Sequence, residues 1–406
     1  MNLKTYFQPL THEEVIWKEN QYMPSLGQST MAYWDNGEFP DVNKSPLVLL
    51  GIDDDRLSMG NTRPRGNDMA KGLGGSLWPR PADEVRSRFY SLALPASDFT
   101  CVDLGNMIIG DTPEDTIFAL TEILADLLEK KLTVVILGGS QALSYANYKA
   151  YESVGRIINM ANIDCRFDVE QHPSCDSNSW IYHIILQQPN YLFNFASLGY
   201  QSYFCGSALQ KLMEELQFDM MRLGDLQGAG MIMAEPLLRW SDMVSVDVSS
   251  VRRSDAPANA NASIHGLYGE QLCQLMRFAG MSDKVSSIGF YELNTALDSN
   301  GQTADLVAQA LWHFVEGFFA RMGDYPYKDV TNYRRYLVPL NNGRQEIVFY
   351  KSKKSDRWWV QVPCDIEENK DRYARHLLVP CTYEDYQQAL ENEVPGRWMK
   401  VLQRVN

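Results

Sequence analysis

From about residue 46 the chain alternates short, nearly continuous apolar runs with segments of helical period. "PLVLLGID" (46–53), "FTCVDLG" (99–105), "LTVVILGG" (132–139), "RIINMANID" (156–164), "YLFNFASLG" (191–199), "DMVSVDVS" (242–249) and "KVSSIGFYEL" (284–293) read as strands. Their weak polar alternation predicts burial on both faces. Between them, 113–130 places Ile117, Leu120, Ile123, Leu124, Leu127 and Leu128 on one face, with Thr112 positioned to cap and Pro113 suited to the first turn. Further helices are predicted at 141–152, 207–217, 269–281 and 302–321. Strands and helices in alternation predict an α/β fold, a parallel sheet covered on both faces in three α/β/α layers.

The pattern changes after "GDYPYKDV" (323–330). The stretch that follows predicts a β-meander turned at Asn341-Asn342-Gly343, with a short helix near 383–393. We therefore divide the chain into an N-terminal arm (1–45), an α/β domain (46–324) and a small α+β appendage (325–406). The arm carries Trp17, Tyr22, Tyr33 and Trp34, too aromatic for a disordered segment, and is expected to pack on the core.

Composition narrows the function classes. A chain of 406 residues, 45% apolar, can bury a large core. A net charge of -14 without a long basic run argues against nucleic acid, since phosphate binding needs clustered Lys and Arg. Seven scattered cysteines without CxxC spacing fit neither a disulfide framework nor a zinc ribbon. No apolar run approaches the roughly 18 residues of a membrane span, and "MNLKTYFQPL" lacks a signal-peptide core, so a cytoplasmic location is expected. Small molecules or proteins are the expected partners.

Ligands of open α/β sheets collect at the carboxyl ends of the strands. There the chain offers Gly138-Gly139-Ser140-Gln141, Asp164-Cys165-Arg166-Phe167-Asp168, Asp247-Val248-Ser249 and Glu292. Singly, each has a plain structural reading. Asp-x-x-x-Asp suits a cap or turn, Gly138-Gly139 a tight strand-to-helix turn without nucleotide-loop spacing, and Glu292 a strand-end ion pair. His183 and His265 lie nearest these motifs and read as structural histidines; Trp358 and Trp359 read as packing of the appendage.

The four strand ends taken in order resemble the ureohydrolase family of arginase, agmatinase and formimidoylglutamase, over roughly 46–321 and including "LLGIDDDRLSMGNTRPRG" and "GFYELNTALDSNGQTADLVAQAL". The resemblance is greatest to a divergent, formimidoylglutamase-like branch of Bacteroidetes-type bacteria. It implies an arginase-like fold, an oligomer, and a centre in which "GGxH", "DAHxD" and "SxDxDxxDP" hold two Mn²⁺ ions sharing a hydroxide that attacks an amidine or guanidine carbon. By this resemblance Asp164, Asp168 and Asp247 fall on aspartate ligand positions, and Glu292 on the glutamate that faces the substrate. Gln141 and Arg166 stand where the two histidines belong, Ser249 at the fourth aspartate, and Arg252 at the "DP" aspartate.

These departures are chemically costly. A glutamine carbonyl is a weak ligand, a serine hydroxyl weaker, and an arginine has no lone pair to donate. One weakly held Mn²⁺ or Mg²⁺ on Asp164, Asp168, Asp247 and Gln141, or no tightly bound metal, is therefore expected. The guanidinium of Arg166 is expected among Asp164, Asp247 and Ser249, where the second ion would lie. The leading expectation is a decayed site that binds a small cationic, amidine- or guanidine-like ligand or serves as a scaffold. The alternative is an active amidine hydrolase with at most one metal, Arg166 acting electrostatically. A third is a protein partner held through the appendage.

Overall fold

The computed structural model describes residues 1–18, 22–63, 79–326, 329–340 and 345–406. Two short strands of the arm, β1 (Phe7–Gln8) and β2 (Thr30–Ala32), precede β3 (Leu47–Ile52), β4 (Cys101–Met107), β5 (Thr133–Leu137), β6 (Ile158–Ile163), β7 (Leu192–Tyr200), β8 (Asp219–Arg222), β9 (Met243–Asp247) and β10 (Ser287–Tyr291). They form one sheet in the order β1-β4-β3-β5-β10-β9-β6-β7-β8, with β2 also on β4. Every pairing is parallel except β1 on β4. The seven runs read as strands are β3–β7, β9 and β10. All but the first residue of β7 and the last of β9 are buried along these strands, as continuous apolar runs require.

Two apolar layers flank the sheet. On one side Leu49, Val135, Ile163 and Val246 pack with the helices Gly269–Gly280 and Gln302–Phe319; on the other Val48, Val134 and Met160 pack with Pro113–Glu129 and Ser144–Ser153. The helix Pro113–Glu129 begins as expected: Thr112 Oγ1 accepts from Asp115 N at 3.1 Å, and the Asp115 carboxylate accepts from Thr112 N. The helix expected at 207–217 follows the non-helical Gly206 (φ 56°), which separates it from a short turn beginning at Ser202, and ends at Glu215. The arm joins the core through β1 and β2, and through Trp17, Trp34 and the buried Leu26.

The C-terminal strands β11 (Tyr333–Leu340), β12 (Gln345–Ser352), β13 (Trp358–Gln361) and β14 (Leu378–Cys381) form a separate antiparallel meander. The turn expected at 341–343 lies outside the described residues. Helices Tyr383–Leu390 and Gly396–Val405 cover the meander, and its core, with Val338, Phe349, Trp358 and Trp398, continues into Phe193 and Trp240 of the α/β layer. Trp358 and Trp359 are both buried, on opposite faces of β13, and the Arg239 guanidinium lies 4.5 Å over the Trp359 ring. The meander meets the amino-terminal ends of β6 and β9. There Arg375 reaches Asp242 at 2.5 Å and His376 stacks on Phe193 with centroids 4.2 Å apart. The carboxyl ends of the strands are left free for a site.

Candidate functional site at the carboxyl ends of the strands

β5 ends in Gly138 and Gly139, both at positive φ (88° and 78°). A Cβ on Gly138 would lie 2.9 Å from Ile52 O, and one on Gly139 3.0 Å from Asp54 O, so the turn needs glycine twice. The chain then tightens into a short 3₁₀ turn, Gln141–Leu143, before the helix Ser144–Ser153. This drops the Gln141 side chain into the protein. Its Nε2 donates to Asn162 Oδ1 (2.9 Å) and Ser245 Oγ (3.2 Å), which fixes the amide and leaves Oε1 buried without a donor.

At the end of β6, Asp164 Oδ1 accepts from Arg166 N at 2.8 Å, while Oδ2 is buried and lacks a donor. The Asp164 side chain is within hydrogen-bonding reach of the Asp168 carboxyl, a pairing that requires a proton on one of them. Asp168 also accepts from Trp180 Nε1 (3.1 Å) and sits at φ 52°. Asp247 closes β9; its Oδ1 accepts from Ser249 N (2.6 Å) and Asn259 Nδ2 (3.4 Å). Ser249 Oγ lies 3.6 Å from Cys165 Sγ.

Glu292 follows β10 at φ 65°, and its N–H donates to Gly139 O at 3.0 Å. Left-handed backbone at a residue other than glycine costs on the order of 1–3 kcal/mol and persists where surrounding bonds hold it. They do so here. Glu292 Oε1 accepts from Ser58 Oγ and Gln141 N, both at 2.9 Å, and Oε2 from Asn61 Nδ2 at 3.1 Å. Its carbonyl accepts from Asn61 and Asn259. The small pocket against Glu292, lined also by Asp55, Ser58, Asn61 and Arg63, has a volume near 10 Å³, at the lower limit for one water.

Burial raises all four acids above the ordinary carboxylate range; Asp168 and Asp247 go well above it, each further raised by the Asp164 charge, and Asp247 also by Glu292. The Asp247 residue is only partly covered, but protein crowds its carboxyl closely enough for the same effect.

Arg166 is not where the family resemblance placed it. Its guanidinium lies 4.5 Å over the Phe204 ring, and no described carboxylate comes within 4.0 Å of it. The reason is local. The Asp164 and Asp247 carboxylates are already turned to backbone N–H groups, and the aromatic face beside β7 offers the guanidinium another support. Arg252 leaves the site altogether, with Nε 2.8 Å from Asp255 Oδ1 and its guanidinium 3.9 Å over Tyr268. His183 packs edge-on to Tyr145 and Tyr182, and His265 Nδ1 meets Tyr203 Oη at 3.1 Å.

Thus the fold gathers Gln141, Asp164, Asp168, Asp247 and Glu292, as the strand-end reading expected, and separates Arg252 from them. Residues not singled out in the sequence complete the site: Ser58, Asn61, Asn162, Trp180, Ser245 and Asn259. Asn162 and Ser245 carried a signal, being polar interruptions in strands buried on both faces, where an unpaired polar group is costly. Among the described residues no group of three or more His, Cys, Asp or Glu side chains is arranged to hold a metal ion.

A parallel α/β layer whose carboxyl and amide side chains converge at adjoining strand ends is the layout of a ligand-binding or catalytic α/β protein. Comparison makes the class specific: the chain belongs to the arginase family, whose model matches residues 80–316. A formimidoylglutamase of Staphylococcus aureus (strain MRSA252) is 26% identical over 243 residues, 58% of this chain and 78% of the relative. Among solved structures, Trypanosoma cruzi formiminoglutamase with Mn²⁺ aligns with a TM-score of 0.62 at 18% identity, over 74% of this chain and 99% of that one. Formimidoylglutamase from Bacillus subtilis aligns at 0.61 and 16% identity, over 75% and 95%. These structures establish the arginase-like fold.

Proposed function

We propose that this arginase-family protein has lost the family's two-metal hydrolytic centre and binds a small ligand at the carboxyl ends of the strands without hydrolysing it. One observation carries the reading, the donor set at the strand ends. Two oxygens, Asp164 Oδ2 and Gln141 Oε1, are buried without donors and suit a proton or at most one hard cation. A second ion is poorly served beside them: Arg166 has no lone pair to offer and lies on Phe204, and the Ser249 hydroxyl, shared between Cys165 and Asp247, is a weak neutral ligand. The residues present therefore do not fit a pair of Mn²⁺ ions.

Glu292 faces a cavity near 10 Å³, too small for an amidine or guanidine, and its carboxylate is already held by Ser58, the Gln141 N–H, Asn61 and Ser140, so it offers no place for a bidentate cation here. A second reading, an active formimidoylglutamase-type hydrolase with one metal, draws support from the formimidoylglutamase relatives and from the retained Asp164, Asp168, Asp247 and Glu292. Release of urea or formamide from arginine, agmatine and formimidoylglutamate, with Mn²⁺ added, separates the two. The proposal expects no turnover; rates in the ordinary enzymatic range of about 1 to 1000 per second establish the second reading instead.

A further inference from the structure

Two arginines stand at departed positions, and they differ in one respect. Arg252 is stacked on Tyr268 and also paired with Asp255 at 2.8 Å, so its charge is matched. Arg56 and Arg63 near the same strand ends likewise finish on aspartates, Asp54 for the first, Asp53 and Asp55 for the second. Arg166 is stacked on Phe204 but has no described carboxylate within 4.0 Å; only its backbone N–H, bonded to Asp164, is engaged. It is also half-buried.

Of the neighbouring acids, Asp168 accepts from Trp180 Nε1 and Asp247 from Ser249 N and Asn259 Nδ2, while Asp164 Oδ2, which lacks a donor, stays beyond 4.0 Å of the guanidinium. Stacking fixes the plane of a guanidinium while leaving its in-plane N–H groups free, and those N–H groups match the two oxygens of a carboxylate or the edge of a phosphate. Those N–H groups stay open to solvent, so an incoming acceptor can reach them. The rim beyond Phe204 is aromatic and polar. The Phe204 and Tyr203 ring centroids are 4.7 Å apart, and Tyr203 Oη lies against His265 Nδ1.

We infer that Arg166 is an oxyanion-binding residue: a carboxylate or phosphate group of the small ligand docks in the plane of its guanidinium while Phe204 supports the opposite face. The inference rests on the reading of the site as one without a metal pair, since a two-metal centre needs a ligating side chain at that position. It changes the expected ligand. A purely cationic amidine would meet the positive charge of Arg166 and find the Glu292 carboxylate already held by Ser58, the Gln141 N–H, Asn61 and Ser140. The ligand is therefore anionic or zwitterionic.

The test is calorimetric titration of protein stripped on a chelating resin, at low ionic strength, with sodium glutamate, inorganic phosphate and agmatine in separate runs. Wild type should bind glutamate or phosphate at millimolar or lower concentration. Glutamate alone assigns a carboxylate, phosphate alone a phosphate. Arg166→Ala should weaken that binding at least about tenfold, a loss equal to about 1.4 kcal/mol. Arg166→Lys should fall between, keeping the charge but not the fork, and Arg252→Ala should match wild type. Thermal melts confirm that each variant is folded. The inference is overturned if neither anion binds, if agmatine alone binds, if Arg166→Ala binds as wild type does, or if Arg252→Ala loses as much as Arg166→Ala. Manganese content of the same preparation separates the two levels. Two ions per chain after loading remove the underlying reading, whereas at most one ion with no anion binding removes this inference alone.

Discussion

Aspartates flank the strand β9, Asp242 just before it and Asp247 as its last residue, and protein encloses both carboxyls, but their surroundings are opposite. At the amino-terminal end Asp242 meets Arg375 at 2.5 Å, Lys284 at 3.5 Å and the N–H of Asn159 at 3.0 Å. Burial pushes its carboxyl up, yet Lys284 and Arg375 outweigh that and hold it below the ordinary range. Arg375 is the closer partner. Lys284, beyond hydrogen-bond length of a good pair, is pushed down by burial to about 8. At the carboxyl end Asp247 has neutral donors and acidic neighbours, and burial, Asp164 and Glu292 drive it well above the ordinary range. One strand thus presents a charge matched for structure and an acid left unmatched. Unmatched acids at strand ends mark a site, whereas matched ones hold the C-terminal meander to the sheet.

The comparison breaks most sharply by neutralising each end in turn. Asp242→Asn leaves Lys284 and Arg375 without their partner and should cost about 3–5 kcal/mol, read by urea denaturation at neutral pH. Asp247→Asn removes a carboxyl that the fold already disfavours as a charge, and should leave stability unchanged or raise it. Equal losses at the two ends contradict this account.

The two ends also carry opposite pH signatures. A carboxyl with a lowered folded pKa, as in Asp242, contributes stability above its unfolded value of about 4, and that contribution is lost as pH falls through the folded value. Asp168 and Asp247, with raised folded values, favour the fold below about 4 and lose that contribution as pH rises through their folded values. Tm measured across pH should therefore fall less steeply toward high pH in the Asp168→Asn/Asp247→Asn double variant than in wild type. Asp242→Asn should lose the acid-side dependence instead. A double variant that follows the wild-type profile removes the claim that these acids are unmatched.

Much of this was legible from residues alone. The seven strands of the sheet core are short apolar runs because both their faces are covered, and that burial writes itself into composition. The strand-end set Gln141, Asp164, Asp168, Asp247 and Glu292 followed from parallel topology, which collects such positions at one edge. Short or polar elements were missed: β8, with its exposed end at Arg222, carries no continuous apolar run, and the helix Pro81–Phe89 mixes "ADEVRSR" with few apolar positions, its face built around the buried Arg86 and Asp103 pair. Ser58 and Asn61 lie in a loop, where spacing says nothing about which side chain points inward.

The direction of Arg166 was illegible for a related reason. Its place in sequence puts it beside the aspartates, but whether it turns to them or to Phe204 depends on which donors reach the aspartates first, and those are backbone N–H groups set by the turns. Arg166→Ala, expected from the family resemblance to remove a buried pair, should instead lose only the stacking contribution, about 0.5–1 kcal/mol in chemical denaturation of chelator-treated protein. A loss of several kcal/mol means that the guanidinium pairs with Asp164 or Asp247 in solution, and restores the original expectation.

The loss of the two-metal centre is the central claim, and metal stoichiometry tests it most directly. Protein loaded with excess Mn²⁺, dialysed and analysed for metal should hold at most one ion per chain. Rebuilding the family's ligands in the triple variant Gln141→His/Arg166→His/Ser249→Asp supplies the positive control, with uptake rising toward two. Two tightly held ions in the unaltered chain would contradict the account.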